Sequence, residues 1–294
     1  FYRLAHAESD GLPGTVIDRF GDALVMQVNT AGMQALMEEL LQALDDVIAP
    51  RRILLRSDGA ARALEGLESD VRVVRGSFDG PLEVLENGAT YLADPAGGQK
   101  TGWYYDQRDN RAWVARLCEG ARVLDLYSYT GGFSVLAAVK GAREVLAVDR
   151  SEAALELLGA AAESNGVAGA VATRRAEVFE EAQRLREAGE RFDTVIVDPP
   201  AFVKTKKDMA QGLRGYRKLF RAAARLVKPG GVLFAASCSH HVGAEDFDRE
   251  LRRALADAGR SGRLLRASGA GADHPVHIFL PESEYLKGRL LLLD

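Results

Sequence analysis

Cysteine is scarce in this chain, with only Cys118 and Cys238 among 294 residues. Two cysteines cannot form the disulfide framework of a small secreted domain, so we expect a reducing compartment, the cytoplasm. Cys238, His240 and His241 crowd together, and no second Cys or His pair lies at zinc spacing. We therefore expect no metal site.

Long apolar runs and a large net charge are also absent. No stretch approaches the roughly 20 apolar residues of a membrane-spanning helix, so we expect no membrane contact. The net charge of −4 argues against a protein that coats nucleic acid indiscriminately. Locally, however, residues 201–228 carry nine Lys or Arg and one acid. Such a run indicates either a solvated helix face or a phosphate-binding surface.

Apolar patterning predicts three segments. Residues 1–80 mix strands (14–20, 23–29, 53–56, 71–74) with a helix (33–48), which is typical of a small α+β domain that recognises or positions a partner. Asn87-Gly88 between apolar runs predicts a linking β-hairpin over residues 81–97. The third segment covers residues 98–294 and is expected to hold the chemistry.

In that third segment, short apolar runs alternate with helical patterns. The runs are 123–126, 145–148, 171–173, 194–197 and 232–236, and the predicted helices are 108–117, 133–138, 152–164, 178–188, 216–226 and 245–258. This alternation predicts an α/β fold with a mostly parallel, Rossmann-like sheet covered by helices on both faces. Residues 289–293 are expected to add an antiparallel closing strand.

The loop after the first predicted strand of this sheet, residues 125–133, indicates a cofactor site. Its glycines, Gly131 and Gly132, do not form the G-x-G-x-x-G of a dinucleotide site, and Asp125 places negative charge where a pyrophosphate would lie. The pattern favours a positively charged cofactor without phosphates, and S-adenosylmethionine has both properties. Asp149 ends the next strand, where a carboxylate can accept hydrogen bonds from ribose hydroxyls. Capping or turn formation is the alternative role for both aspartates.

Two further loops carry a carboxylate and a thiol. Asp198-Pro199-Pro200 and Ser237-Cys238-Ser239 each follow an apolar run, and loops at the carboxyl ends of parallel strands line one crevice. A thiolate that adds to carbon 6 of a pyrimidine activates carbon 5 for methylation, and an acidic group beside N3 assists. Cys238 and Asp198 are therefore the candidate catalytic residues. A buried small hydrophobe is the alternative role for Cys238, while Cys118 is better explained by packing.

Asp198-Pro199-Pro200 also permits a second chemistry. An acidic residue followed by two prolines and an aromatic is typical of enzymes that methylate exocyclic amines, but here Ala201 separates the prolines from Phe202. Phe202 is expected to stack on a base. The predicted RNA-contacting residues are Pro199, Phe202, Lys204, Lys206, Lys207 and Arg214.

Taken together, several motifs resemble one family over nearly the whole chain. They are Gly-Gln-Lys-Thr-Gly (98–102), Asp-Gln-Arg (106–108), the 123–133 loop, Asp-Pro-Pro-Ala-Phe (198–202), Ser-Cys-Ser-His-His (237–241) and Asp-His-Pro (273–275). The family is the RlmI-like 23S ribosomal RNA cytosine-5 methyltransferases of class I. The resemblance implies that S-adenosylmethionine is surrounded by Asp125, Tyr127, Ser128, Gly131, Phe133, Asp149, Arg150, Glu177, Asp198, Gln107 and Arg108, with Cys238 as the nucleophile.

The resemblance also implies an RNA substrate, and the chain differs from the family in two respects. The expected substrate is 23S ribosomal RNA or a partly assembled large subunit, and a homodimer stays open. Members usually begin with an RNA-binding PUA domain, whereas this chain starts at Phe1-Tyr2-Arg3, so we expect that domain to be missing. Many relatives have Asp where this chain has Glu177, whose alternative role is a first-turn helix acid. Two alternatives to cytosine-5 methylation stay open, namely noncovalent methylation of a guanine or adenine nitrogen, and a noncatalytic RNA-binding assembly factor.

Overall fold

The computed structural model describes residues 1–294 and groups them into two units. The first unit contains Phe1–Glu86, Leu92–Asp106 and Gly271–Ser283, and the second contains Asn87–Tyr91, Gln107–Ala270 and Glu284–Asp294. Residues 98–106 and 271–283 thus group with the N-terminal part of the chain, which differs from the predicted boundary near residue 97. Arg56 accounts for part of this grouping, because its guanidinium donates hydrogen bonds to the carbonyls of Pro95, Ala96 and Gly98.

A five-stranded sheet forms the first unit, in the order β1-β2-β3-β4-β5. Its strands are β1 (Tyr2–His6), β2 (Thr15–Phe20), β3 (Ala23–Val28), β4 (Arg52–Ser57) and β5 (Asp70–Arg75), and β3 and β4 are the one parallel pair. The helices are α1 (Ala31–Ala35), α2 (Met37–Val47) and α3 (Ala61–Leu64). The single helix predicted over 33–48 is wrong. Leu36 interrupts it with ψ +20°, and its side chain is half exposed rather than a core position.

The Asn87-Gly88 turn is confirmed. It joins β6 (Leu82–Glu86) to β7 (Ala89–Ala93), and Asn87 and Gly88 have φ of +55° and +82°. Positive φ at both central residues is the geometry that makes Asn-Gly a preferred hairpin turn.

The second unit contains a seven-stranded sheet in the order β10-β9-β8-β11-β12-β14-β13. Its strands are β8 (Arg122–Leu126), β9 (Glu144–Asp149), β10 (Val171–Arg175), β11 (Phe192–Val197), β12 (Val227–Ser237), β13 (Gly262–Ser268) and β14 (Lys287–Leu293). Strands β8 to β12 are parallel, and β14 runs antiparallel to both β12 and β13. The predicted α/β sheet and its antiparallel closing strand are confirmed. The edge strand β13 was not predicted.

Six helices flank this sheet: α4 (Arg108–Ala115), α5 (Gly132–Val139), α6 (Glu152–Ser164), α7 (Val178–Glu187), α8 (Met209–Leu226) and α9 (Ala244–Asp257). Helix α8 begins seven residues before the predicted start and includes Gly212 and Gly215, although glycine is a weak helix former. A Cβ on Gly212 would lie 2.8 Å from the carbonyl oxygen of Phe202. Glycine is therefore required there by the close approach of the 202–203 backbone.

Apolar side chains pack on both faces of the larger sheet. Along β11, Val195 and Val197 belong to the cluster that contains Tyr216 and Phe220, while Ile196 belongs to the cluster on the opposite face. This alternation explains why the parallel strands read as continuous apolar runs. No helix is both long and apolar enough to cross a membrane. The carboxyl ends of β8, β9, β11 and β12 come together at one edge of the sheet, where the candidate site lies.

Candidate active site

The loop after β8 is held in an uncommon backbone conformation. Tyr127 and Tyr129 have φ of +66° and +48°, although neither is a glycine. The backbone N–H groups of Tyr127 and Ser128 both donate to the carbonyl of Val148, at 3.0 and 3.1 Å. Such conformations persist only where the surroundings enforce them, and they concentrate at ligand sites.

Gly131 and Gly132 admit side chains from two neighbouring helices. A Cβ on Gly131, where φ is +87°, would lie 2.5 Å from Cγ of Leu158, and a Cβ on Gly132 would lie 2.5 Å from Nε of Arg111. The Arg111 guanidinium carbon is 5.9 Å from the centroid of the Phe133 ring. These glycines thus allow α4 and α6 to close around the loop. No motif identified Arg111 from the sequence.

Asp125 is a buried carboxylate with only part of its bonding capacity used. Its Oδ2 accepts a 2.5 Å hydrogen bond from Oγ of Ser134, while Oδ1 is buried without a protein partner. Burial raises the pKa of Asp125 to about 7, and the Ser134 hydrogen bond and the Arg111 charge oppose this increase. The Ser128 and Thr130 hydroxyls are also buried without partners. Three polar groups at the end of β8 and in the loop after it are thus buried without protein partners, and of these Thr130 was missed in the sequence.

Asp149 uses both of its carboxylate oxygens to hold turns. Oδ2 accepts from the backbone N–H of Tyr129 and Oδ1 from that of Ser151, each at 2.9 Å. The turn-forming role is thus present, and the remaining lone pairs are available to donors from a ligand. Asp149 is half-buried at the end of β9.

Tyr127 lies among the other predicted cofactor residues at this edge. Burial raises its pKa to about 12, the carboxylates of Glu177 and Asp149 act in the same direction, and Arg150 opposes them. Glu177 is exposed at the start of α7, and its side chain makes no capping hydrogen bond. Tyr127, Asp149, Arg150 and Glu177 are therefore close enough to influence one another electrostatically.

Gln107 and Arg108 lie at the start of α4. Gln107 is buried and accepts a 2.6 Å hydrogen bond from Asn110, and the carbonyl of Arg108 accepts one from Asn87 at 2.9 Å. Arg111, one turn further along α4, is the residue that contacts the glycine loop.

The loops after β11 and β12 meet. The Cys238 sulfur lies 3.9 Å from the carbonyl oxygen of Pro199, and Cys238 is half-buried between the fully buried Ser237 and Ser239. The backbone N–H of Asp198 is 3.5 Å from the carbonyl of Leu126 at the end of β8. The thiol, the proline loop and the end of β8 thus occupy adjacent positions along the sheet edge.

Side chains beneath these loops fix their conformation. The Tyr216 hydroxyl is 2.8 Å from Oγ of Ser239, which also accepts from the backbone N–H of Val203 at 3.2 Å. The half-buried Phe202 ring packs with its centroid 4.7 Å from that of Tyr216 and 6.5 Å from that of Phe179. Tyr216 and Ser239 therefore couple the proline loop to the cysteine loop.

Lys287, the first residue of β14, also contacts the cysteine loop. Its Nζ donates to the carbonyls of Ser239 and Tyr285, at 2.8 and 2.7 Å. Burial lowers the pKa of Lys287 to about 8, while Cys238 and Glu284 act to raise it. Neither Tyr216 nor Lys287 was identified from the sequence. The one sequence feature that could have identified Lys287 is its charge at the start of a largely apolar strand.

The basic segment divides into paired and unpaired members. Lys204, Lys206, Lys207 and Arg214 are exposed and form no ion pair. Asp208 accepts from the backbone and hydroxyl of Thr205, which holds the short helix Lys206–Asp208. By contrast, Arg217 pairs with Asp257 at 2.7 Å. The interpretation of Cys118 as a packing residue is confirmed, because it is fully buried and burial raises the pKa of its thiol to about 12.

This chain is similar to known methyltransferases in sequence. Residues 67–260 match the family model described as S-adenosylmethionine-dependent methyltransferase. The chain is 41% identical over 289 residues to ribosomal RNA large subunit methyltransferase I of Aeromonas salmonicida (strain A449), covering 98% of this chain and 73% of that protein. It is 42% identical to the protein of the same name from Erwinia tasmaniensis, with the same coverage. The chain belongs to the S-adenosylmethionine-dependent methyltransferase family.

Two solved structures have the same fold as this methyltransferase. A putative SAM-dependent methyltransferase from Streptococcus mutans superposes with a TM-score of 0.86 at 24% identity, covering 99% of this chain and 74% of that one. A putative methyltransferase complexed with SAH gives a TM-score of 0.87 at 23% identity, over the same shares of the two chains. The predicted class I methyltransferase fold is therefore confirmed.

The predicted cofactor, S-adenosylmethionine, is confirmed by the family of this methyltransferase. The end of β8 and the loop after it fit this cofactor, because Asp125 Oδ1, Ser128 Oγ and Thr130 Oγ1 are buried polar atoms that lack protein partners. Burying such atoms is costly unless a ligand satisfies them. The acidic lining suits a cationic sulfonium better than a phosphate.

Proposed function

We propose that this methyltransferase forms 5-methylcytidine in large-subunit ribosomal RNA, with Cys238 as the nucleophile. The observation that carries the proposal is the 3.9 Å separation between the Cys238 sulfur and the carbonyl oxygen of Pro199. It places a half-buried thiol beside the loop that carries Asp198. The names of the relatives from Aeromonas and Erwinia support ribosomal RNA as the substrate.

The chemistry requires one nucleophile and one group that holds the ring. The Cys238 thiolate forms a carbon–sulfur bond at carbon 6 of cytosine, and the displaced electron pair makes carbon 5 nucleophilic. Bound S-adenosylmethionine supplies an electrophilic methyl group for carbon 5. Removal of the carbon-5 proton by a base then restores the ring double bond and expels the Cys238 thiolate. Asp198, the residue directly after β11, holds the ring by its N3 side.

The cofactor is proposed to bind at the edge formed by β8 and β9. Asp125, Ser128 and Thr130 would satisfy its polar atoms, and Asp149 would accept from its ribose hydroxyls. The other residues proposed to surround it are Tyr127, Gly131, Phe133, Arg150, Glu177, Asp198, Gln107 and Arg108. Arg111 joins this set as a positioning residue, because it contacts Gly132 and influences Asp125.

RNA is proposed to approach along the segment from Pro199 to Arg214, which contains the loop after β11 and the start of α8. Lys204, Lys206, Lys207 and Arg214 are exposed and free of ion pairs, so phosphates would not have to displace a carboxylate. The uncovered part of the Phe202 ring is proposed to contact a base. The substrate within this class is 23S ribosomal RNA or a partly assembled large subunit in the cytoplasm.

Replacing the nucleophile tests the proposal. Cys238→Ala should reduce transfer of labelled methyl groups to large-subunit ribosomal RNA by roughly 10³-fold or more, while calorimetric titration shows retained S-adenosylmethionine binding. Cys118→Ala is the matched control and should keep its activity, since Cys118 is a buried packing residue. Mass spectrometry of the nucleosides should identify 5-methylcytidine. Full activity of Cys238→Ala, or a methyl group on a ring nitrogen, would contradict the proposal.

A further inference from the structure

Lys287 is placed directly beside the nucleophile by strand register. Strands β12 and β14 are antiparallel, and Lys287 pairs with Ser237, the residue before Cys238. Its side chain then reaches past Cys238 to the carbonyl of Ser239 at 2.8 Å. One buried ammonium thus spans the three-residue segment that carries the thiol.

The charge on Lys287 is not neutralised by a carboxylate. Its two hydrogen-bond partners, the carbonyls of Ser239 and Tyr285, are dipoles, and no acid lies within ion-pair distance. Lys287 is only 4% exposed, so water screens its charge weakly. An unneutralised positive charge at this depth stabilises a neighbouring anion, and Cys238 can become that anion.

The other charged and titratable groups near Lys287 and Cys238 are ion-paired, neutral near pH 7 or at least partly exposed. Arg289 of β14 is ion-paired with Asp248 at 2.7 Å, and Glu284 precedes β14. From α8, Tyr216 contributes a hydroxyl whose pKa is raised by burial, so it is neutral near pH 7. His240 is exposed and stacks on Tyr285, with ring centroids 5.0 Å apart. Asp198 is half-buried on the facing loop.

We propose that Lys287 is a positioning residue that favours the thiolate form of Cys238 and fixes the loop that carries it. The inference rests on the proposed function, since it assigns a purpose to the reactivity of Cys238. The purely structural alternative is that Lys287 only satisfies two buried carbonyls. The two differ in whether charge, rather than hydrogen bonding, changes the ionisation of the thiol.

The test is the pH dependence of Cys238 alkylation by iodoacetamide, read by peptide mass spectrometry on the full chain without RNA. In Lys287→Met, the pH midpoint of the alkylation rate should rise by about one pH unit, as expected for loss of a nearby opposite charge. Lys287→Arg keeps its charge over the whole pH range, so its midpoint should lie at or below that of the wild type. Tyr216→Phe is the matched control, because it removes a neutral partner of the same loop and leaves the charge unchanged.

An unchanged midpoint in Lys287→Met, or an equal rise in Tyr216→Phe, would overturn the inference. If Lys287→Met fails to fold by circular dichroism, Lys287→Gln provides the same comparison, since its amide can still donate to a carbonyl. Failure of the proposed function is distinguishable. Absence of methyl transfer by the wild-type protein would contradict catalysis by Cys238, whereas the change in the alkylation midpoint caused by Lys287→Met is measured without RNA or methyl transfer.

Discussion

The sulfur of Cys238 lies 3.9 Å from the carbonyl oxygen of Pro199, although the two residues are 39 positions apart in the chain. Adjacency of β11 and β12 produces this contact, because parallel strands deliver their following loops to the same edge of the sheet. The thiol therefore faces a loop built from two prolines and held by Tyr216 and Ser239. A rigid loop of this kind limits the entropy that must be lost when the reacting groups are aligned.

Asp125 makes the stability of the cofactor-free protein depend on pH. Its pKa is raised by burial from an ordinary value of 3.8 to about 7 in the folded chain. A raised pKa contributes stability below pH 4, and that contribution is lost as the pH rises through about 7. The loss is on the order of 4 kcal/mol of unfolding free energy. Urea denaturation of Asp125→Asn should lack this decline between pH 4 and 7, and an identical decline in the variant would refute the assignment.

The same carboxylate should control cofactor affinity. We expect S-adenosylmethionine to bind the ionised form of Asp125, so affinity should rise as the pH approaches 7 and level off above it. Isothermal titration of Asp125→Asn should give weaker binding with little pH dependence over this range. Ser134→Ala removes the hydroxyl that donates to Asp125 and should move the wild-type midpoint upward.

Gly131 is expected to tolerate no side chain. Gly131→Ala adds a methyl group at φ +87° and directs it to within 2.5 Å of Leu158. Gly166→Ala is the matched control, because φ is +69° and nothing lies within 4 Å of the added carbon. The control should lose about 1 kcal/mol of unfolding free energy from backbone strain alone, and Gly131→Ala about 2 to 4 kcal/mol. Equal losses in denaturant titrations would show that the clash is relieved and that the loop is not closely packed.

The basic segment should contribute a salt-dependent part of RNA binding. Replacing Lys204, Lys206 and Lys207 together by Gln should reduce the slope of log affinity against log salt concentration by about 2, at roughly 0.7 for each phosphate contact to single-stranded RNA. Arg217→Gln is the control, since Arg217 is already paired with Asp257. Fluorescence anisotropy at several salt concentrations measures both slopes. A slope that the triple variant leaves unchanged would remove this surface from the RNA-binding account.

Sequence patterns predicted those parts of the molecule whose structure depends on residues that are close together in the chain. A pattern of only a few residues identifies each of three such parts. They are the buried parallel strands, the Asn87-Gly88 turn and the acidic loop at Asp125. No such pattern identifies Lys287 and Tyr216, because their roles arise only when β14 inserts beside β12 and when α8 passes under the cysteine loop. Arg111 was invisible for the same reason, since its importance depends on the bare backbone of Gly132.

Helix α8 shows how a tertiary contact overrides local preference. Gly212 and Gly215 are weak helix formers, yet the helix extends through both of them. The backbone of Phe202 packs against Gly212 too closely for any larger residue. A pattern that counts helix formers cannot include a contact from a loop ten residues earlier.

Covalent trapping tests the central claim most directly. Large-subunit ribosomal RNA that contains 5-fluorocytosine cannot release the thiolate, because carbon 5 holds fluorine in place of the proton that must leave. With S-adenosylmethionine, the wild-type protein should therefore form a stable protein–RNA adduct on a denaturing gel, and mass spectrometry should place the bond at Cys238. Cys238→Ala should form none, and Cys118→Ala should form as much as the wild type. A wild-type protein that methylates the unmodified RNA without ever forming this adduct would contradict catalysis through Cys238.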